Sequence, residues 1–473
     1  MATSPLKSVN ADAPNARYRE RSLWLAQLDE PLTPRAPIAG DVDCDIAIVG
    51  AGFTGLWTAY YLKERAPDLD VVVIEREIAG FGPSGRNGGW ASGGLTGSPT
   101  VYRRAGGADA VRRALEESYR AVDEIGRVAA MEGIDCAYIK AGAVVLATSG
   151  PQLRRLTAEV ASAEEAGTAG TAIRMLEPGE VEQYVRAGGV RGGAFLANCA
   201  RIDPACLARG LALACERRGV TIYERSEATA VAPGLVRCRG GRVRADTVLR
   251  LCEAYTTEMR GQGLRYLPLY SLMIATEPLP ASVWDELGWR DGLLISDRHH
   301  LFFYAQRTAD GRIAIGGRGA PYRFRSPISA ENERNGAVRE RLTEALRRTF
   351  PPAASARITH HWGGPLAAPR DWSMAISFDP SRRFGTAGGY TGHGVGAANI
   401  SGRTLADLVL GRDSELVRLP WVAHRSRRWE PEPIRFVASQ AIMRLLGNAD
   451  AREDATDTRS RRTRLLKPFM PPH

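Results

Sequence analysis

Asp45-Ile46-Ala47-Ile48-Val49-Gly50-Ala51-Gly52-Phe53-Thr54-Gly55-Leu56-Trp57-Thr58-Ala59-Tyr60-Tyr61-Leu62 is the stretch on which the fold turns. Its first five residues are a short apolar run of strand type, and its last seven suit a helix. Between them Gly50, Gly52 and Gly55 spell Gly-x-Gly-x-x-Gly. A second apolar run, Val71-Val72-Val73-Ile74, ends in Glu75, 20 residues after Gly55. Strand, glycine turn, helix, strand and acid follow in the order a dinucleotide site requires. Gly50 permits the tight turn, Gly52 lets the backbone approach a pyrophosphate, and Gly55 lets helix and strand pack closely. Phe53 and Thr54 open a helix whose unpaired N–H groups and positive dipole end attract phosphate. Glu75, followed by Arg76, accepts hydrogen bonds from a ribose. Chance glycines in a chain with 50 of them do not put all these parts in order.

FAD and NAD share that fingerprint, so the next stretch has to separate them. Phe81-Gly82-Pro83-Ser84-Gly85-Arg86-Asn87-Gly88-Gly89-Trp90 follows directly. Five glycines and prolines among small polar residues cannot make a packed helix. Such a loop can lay its backbone against a large flat ligand and its phosphates. A plain nicotinamide dehydrogenase would continue here with another βαβ unit. Further on, Asp203-Pro204 reads as the capped start of a helix over 205–217, with strands at 220–223 and 228–231. Other helices are expected over 110–131, 152–166 and 332–350, and strands over 142–147, 301–304 and 313–317. Late in the chain, Gly388-Gly389-Tyr390-Thr391-Gly392-His393-Gly394 opens a small-residue helix over 395–410. Residues 1–21 read as a flexible arm, 22–28 as a short docked helix, and 420 onward as a helical extension on the surface.

A chain of 473 residues is too long for one small domain, so two intimately packed domains are expected. The hydrophobic fraction of 44% and charged fraction of 25% exclude wholesale disorder, collagen and coiled coil. No apolar run approaches the ~18 residues of a membrane span. The polar N-terminus is no secretory signal. A soluble, cytoplasmic protein is the expectation. Seven cysteines without a Cys-x-x-Cys pair argue against a disulfide scaffold, an iron–sulfur cluster or a structural zinc, and no metal is expected. The net charge of +10 comes almost wholly from arginines spread along the chain. That pattern fits a solvated surface, whereas a nucleic-acid footprint needs clustering, so no nucleic-acid partner is expected.

Taken together, the Gly50–Gly55 unit with Glu75, the Gly82–Gly89 loop, the Asp203-Pro204 helix leading to Thr229-Ala230-Val231, and Gly389–Gly394 resemble the flavoprotein superfamily of D-amino acid oxidase, glycine oxidase and sarcosine oxidase. The branch of γ-glutamylputrescine-oxidase-like amine oxidoreductases is the most similar. The resemblance implies an α/β architecture: a noncontiguous Rossmann-like FAD domain (22–100, 190–260, 366–412) and an α+β substrate domain on an antiparallel sheet (101–189, 261–365). A helical extension (413–473) would follow. It implies FAD as cofactor, oxidation of a C–N bond to an imine, and oxygen or another electron acceptor. Ala230, Val231 and Gly389–Gly394 join the cofactor-binding set by this route. The helix start at Gly392–Gly394 also has a reading of its own: N–H donors and a positive dipole end can stabilise the negative charge of a reduced flavin ring, with His393 adding a donor or cation.

Departures from the relatives are informative. Sarcosine oxidases carry a lysine where this chain has Gly396, and no lysine lies between Lys140 and Lys467. No cysteine follows Cys252, and Trp90 stands where some relatives carry a histidine, so noncovalent FAD is expected. Leu251-Cys252-Glu253-Ala254-Tyr255 places a cysteine and an acid where relatives have small residues; a buried structural cysteine is the preferred reading. An aromatic pocket suits hydride transfer from a neutral amine, and Trp90, Tyr270, Tyr304, His361 and Trp362 are its candidates. Arg318 is the candidate partner for a substrate acid. The competing readings are a flavin monooxygenase or halogenase, and a non-catalytic basic flavin- or nucleic-acid-binding protein.

Overall fold

The computed structural model describes residues 15–165, 172–319, 321–325 and 327–460. Two large sheets organise it. The first has the strand order Ala375–Asp379, Phe384–Gly388, Gly241–Arg250, Val42–Val49, Val71–Ile74, Thr221–Tyr223. Its four inner pairings from Phe384–Gly388 to Thr221–Tyr223 are parallel. Val49 stands opposite both Ile74 and Arg250, so three strands end together where the glycine turn begins. Ligands of open α/β sheets bind outside such carboxyl ends.

Side-chain alternation explains the unbroken apolar runs of this sheet. Ile46, Ile48, Val71 and Val73 face a core shared with the helices Phe53–Arg65, Pro204–Arg217 and Gly394–Val409. Ala47, Val49, Val72 and Ile74 face the opposite way, onto Val236, Val243 and Val248. Both faces are covered, so neither strand face can be polar. Asp203 caps its helix as expected, accepting from the N–H groups of Ala205 (2.9 Å) and Cys206 (3.0 Å).

The second sheet runs Ile358–Ala368, Leu267–Thr276, Ile313–Gly317, Phe303–Arg307, Leu294–Asp297, Ala143–Ala147, Gly192–Leu196, Ile173–Leu176. All its pairings are antiparallel except Leu294–Asp297 with Ala143–Ala147. The α/β class with a Rossmann-like layer and an antiparallel second layer is therefore present.

Several expected boundaries move. Gly192–Leu196 pairs with Ala143–Ala147 and Ile173–Leu176 in the second sheet, so residue 190 does not return the chain to the first layer. Ile358–Ala368 is one strand running across the expected boundary at 365/366. The long helix Pro99–Met131, interrupted at Gly106 and Gly107, buries Ala114, Ala121, Val122 and Ile125 in the core of the first layer rather than the second. Residues 15–21 are docked rather than a free arm: Tyr18 is buried and both Arg17 and Tyr18 bond Glu77. Residues 1–14 lie outside the described residues, as does Lys467. The C-terminal helix Ile434–Thr456 does not lie loosely on the surface. Its Asp454 bonds the ring of His299, and its Asp450 accepts from the N–H groups of His300 and Leu301. Many arginines are held by acids in the same way, among them Arg35 and Arg209 on Glu224. Among the described residues no helix is long and apolar enough to cross a membrane.

Candidate active site

A cavity of about 1540 Å³ opens between the two sheets. At one end it is lined by Gly50, Gly52, Phe53 and Thr54, by Glu75 and Arg76, and by the loop from Gly82 to Gly88. Gly55 lies behind this wall: a Cβ there would sit 1.9 Å from the Gly50 carbonyl oxygen, so only glycine lets the helix approach the strand. Gly52 is the N-cap of the helix Phe53–Arg65 and offers no side chain to its N–H groups. Ser84 Oγ takes one of them, Phe53 N–H, at 2.8 Å. Those left over in the first turn have no intrahelical acceptor. Glu75 braces the turn, accepting from Ala51 N–H and Glu77 N–H at 2.9 Å each.

The Gly82–Gly89 loop is held from behind. Trp362 Nε1 donates to the Arg86 carbonyl (2.9 Å), Trp24 Nε1 to the Asn87 carbonyl (2.8 Å) and Gln306 Nε2 to the Gly88 carbonyl (2.7 Å). Three successive carbonyls are thus satisfied by buried side chains, and the other side of the loop faces the cavity. The Asn87 side chain closes the loop on itself through the Ser84 carbonyl and Gly89 N–H. Arg86 is buried against Glu333 at 2.7 Å. Gly85 allows close packing onto the Gly80 carbonyl and Gly89 onto Gln306; they do not line the cavity.

The late motif arrives from the other side. Tyr390, Thr391, Gly392, His393 and Gly394 line the same cavity, where the helix Gly394–Val409 begins without a side-chain cap. The Tyr390 hydroxyl and Thr54 Oγ1 lie 2.9 Å apart, so the two distant glycine motifs touch directly. Glu253 secures the join. Its Oε1 accepts from Gly389 N–H (3.0 Å) and Tyr390 N–H (3.1 Å), and its Oε2 from Ala367 N–H of the second sheet (2.7 Å). Glu253 adopts φ 47°, a left-handed conformation that few non-glycine residues take. Desolvation pushes its carboxyl up to about 7, against those three donors. Cys252 beside it lines the cavity, bonds the Val49 carbonyl through Sγ, and has its thiol pushed up to about 12 by burial.

Beyond the motifs, Trp90 and Tyr304 stand edge to face with ring centroids 6.2 Å apart. The Tyr304 ring is gripped between Gly88 and Gly316, where a Cβ on either would come within 2.5 Å of it. Its hydroxyl bonds Ser271 Oγ at 2.5 Å, and burial pushes it up to about 12. Trp90 Nε1 is buried and has no hydrogen-bond partner among the described residues. His393 is half-buried, and desolvation lowers its pKa.

Four of the substrate candidates lie elsewhere. Tyr270 is in the core of the second sheet, bonded to Pro327 and Ser329. His361 uses Nδ1 on the Met273 carbonyl and Nε2 on Asn335 N–H, which starts the helix Gly336–Thr349. Trp362 packs on Trp24 and supports the loop. Arg318 is paired with Asp297 at 2.5 Å. Strand alternation turns Tyr270, His361 and Trp362 toward the partners that hold them, and Arg318, just past its strand, turns to Asp297. Ala230 and Val231 do not line the cavity; Glu227, Ala228 and Thr229 of the same segment do. Gly389 contributes its N–H to Glu253 rather than a wall. Trp24, Gln306 and Glu253 are absent from the sequence-derived set. Trp24 and Gln306 carry no local motif, Glu253 lies in the Leu251–Tyr255 stretch noted for its acid, and the importance of all three comes from partners tens to hundreds of residues away.

The donor set fits FAD. Helix N–H groups suit a pyrophosphate, Glu75 suits a ribose, and glycine-lined walls with an orphaned indole N–H and a second helix start suit a flat ring with polar edges.

Comparison with known proteins agrees. The family described as "FAD dependent oxidoreductase" (DAO) matches residues 45–408. The chain is 28% identical over 382 residues to gamma-glutamylputrescine oxidoreductase of Escherichia coli, covering 78% of this chain and 84% of that protein. It is 27% identical over 394 residues to the probable oxidoreductase OrdL of Haemophilus influenzae, covering 80% and 86%. Glycine oxidase from Geobacillus kaustophilus has the same fold, with TM-score 0.68, 19% identity, and 82% and 100% of the two chains covered.

Proposed function

The chain belongs to the DAO family of FAD dependent oxidoreductases, and on that premise we propose that it oxidises a C–N bond of an amine or amino acid to an imine, which water hydrolyses. Bound FAD would supply the hydride acceptor and a route for the electrons to oxygen or another acceptor. The observation that carries this reading is the direct contact of Thr54 with Tyr390, which closes both glycine motifs around one cavity walled by Trp90 and Tyr304.

The cofactor is assigned to Gly50–Thr54, Glu75, Arg76 and the Gly82–Gly88 loop at its nucleotide end. Tyr390–Gly394 take the ring end, with binding noncovalent. The substrate is assigned to the Trp90–Tyr304 side. Low polarity there disfavours an ammonium ion and holds the amine neutral, as loss of hydride from its carbon requires. Tyr304 keeps its proton near neutral pH and orients rather than abstracts. His393, its pKa lowered, is a neutral imidazole offering one donor and one acceptor. The start of the helix Gly394–Val409 contributes a positive pole where negative charge develops.

The test is an anaerobic panel of amines and amino acids, watching the flavin absorbance bleach, followed by air. Bleaching by an amine with imine-derived carbonyl product is the expected result. A flavin that no amine bleaches sinks the proposal. Recolouring with peroxide on readmitting air identifies oxygen as acceptor.

A further inference from the structure

Resting on that amine-oxidising reading, we propose that the substrate carries its C–N bond on an extended apolar body, an alkyl chain or hydrocarbon ring, that lies along the helix Ile434–Thr456. An apolar track leads there from the ring pair. Trp90 meets Tyr304 at 6.2 Å, and Tyr304 meets Phe302 at 6.4 Å between centroids. Phe302 is 38% exposed and lines the cavity. Leu301 follows; its Cδ1 lies 3.7 Å from where a Cβ on Gly447 of the helix would be, and Met443 Cε approaches Gly319 in the same way at 3.3 Å.

On the helix, Ile434, Ala438, Ile442 and Leu446 recur every four residues and all line the cavity. Four-residue spacing puts them on one face. An apolar stripe normally packs into a core, yet Ile434 here is 58% exposed. A face turned into a cavity continuous with the ring pair is a wall awaiting an apolar ligand.

Charged groups lining the cavity beside this helix are partnered, whereas Arg103 and Arg260, on other elements of the cavity wall, form no ion pair among the described residues. Arg155 holds Glu453 (2.7 Å), Arg298 holds Glu159 (2.6 Å) and Arg435 holds Glu432 (3.2 Å). Arg318, which could have met a substrate carboxylate, holds Asp297. An ionised tail would lose its water here without gaining an unpaired opposite charge. The wall is also fixed in place, through His299 and Asp454 near its end and Glu432 with Tyr322 near its start.

The test uses the FAD-loaded enzyme and n-alkylamines from propyl to octyl. Each methylene buried along the helix raises kcat/KM about fourfold. Ala438→Asp, at an exposed position that tolerates a polar side chain, and Ile442→Glu both flatten that slope. Dissociation constants of the matching n-alkyl alcohols, read from perturbation of the flavin spectrum, tighten by the same factor per methylene. A flat or falling series with amines that do bleach the flavin overturns the apolar arm, as does γ-glutamylputrescine outrunning octylamine. If no amine bleaches the flavin, the amine reading has failed and the alcohols still decide the arm: binding that tightens with chain length supports it, and binding indifferent to length overturns it.

Discussion

At the glycine-motif end of the cavity the wall is largely main chain; at the Trp90–Tyr304 end it is side chain. The first end takes its N–H groups, its close-approach glycines and Glu75 from Val49 to Gly88, with further wall from residues 226–229 and 251–260. The second draws on Trp90, on Ser271 and Met273, on Phe302 and Tyr304, and on a helix that begins at Ile434. Main-chain geometry is specified by local sequence, because a glycine or a cap acts where it stands. Side-chain walls depend on which strands pair and in which register, so the same residue type can be a wall or a strut. Trp90 lines the cavity, whereas Trp362 holds a loop from behind.

Substitutions that separate the two ends sharpen this contrast. The largest effect is expected for Gly55→Ala, whose Cβ would fall 1.9 Å from a backbone oxygen. Loss of bound FAD, measured as the flavin-to-protein absorbance ratio, is the expected outcome. Gly179→Ala in the other layer meets open space and leaves that ratio unchanged.

Next comes Glu253→Gln. An amide presents N–H groups to one side of a carboxylate that accepts from three backbone donors, leaving one or two of these unpaired. Each unpaired buried N–H costs about 1–3 kcal/mol, so FAD affinity, measured by fluorescence titration of the apoprotein, falls roughly 10- to 100-fold. Retained affinity would show that the join between the motifs does not rest on this acid.

A smaller effect separates support from contact. Trp362→Phe keeps the ring and removes the bond to the Arg86 carbonyl, a loss of about 1 kcal/mol. FAD binding weakens roughly fivefold while the substrate KM stays put. A KM that moves with FAD affinity unchanged would return Trp362 to the substrate pocket.

The smallest effect concerns the helical wall. His299 sits between Asp297 (2.5 Å) and Asp454 (2.9 Å), which raise its pKa to about 9 against the desolvation that would lower it. A histidine whose pKa is raised on folding stabilises fully below its unfolded value, near 6.5, and that stability is lost as pH rises through about 9. The Tm is therefore expected to decline by a few degrees between pH 6.5 and 9. His299→Gln flattens this decline, and an unchanged slope in that variant would break the assignment.

How much of this was legible beforehand follows from the same contrast. The parallel layer, its glycine turn, Glu75 and the Asp203 cap were all written locally, as was the helix start after the Tyr390 motif. The substrate candidates fared differently. Tyr304 and Trp90 reach the cavity, but Tyr270, His361, Trp362 and Arg318 do not, since each is held by a partner elsewhere in the fold whose position no local pattern announces. The strand Gly192–Leu196 joined the second layer because its pairing partners are there.

By itself the sequence determined that a strand end, a glycine turn and a helix start would come together, because those features are specified within a few residues of backbone. Only the tertiary structure decided that Thr54 touches Tyr390 across 336 positions of chain, that Glu253 ties Tyr390 to the second sheet, and that a late helix turns an apolar face inward. Contacts between distant segments are set by strand register and burial over the whole molecule, and no window of sequence contains them.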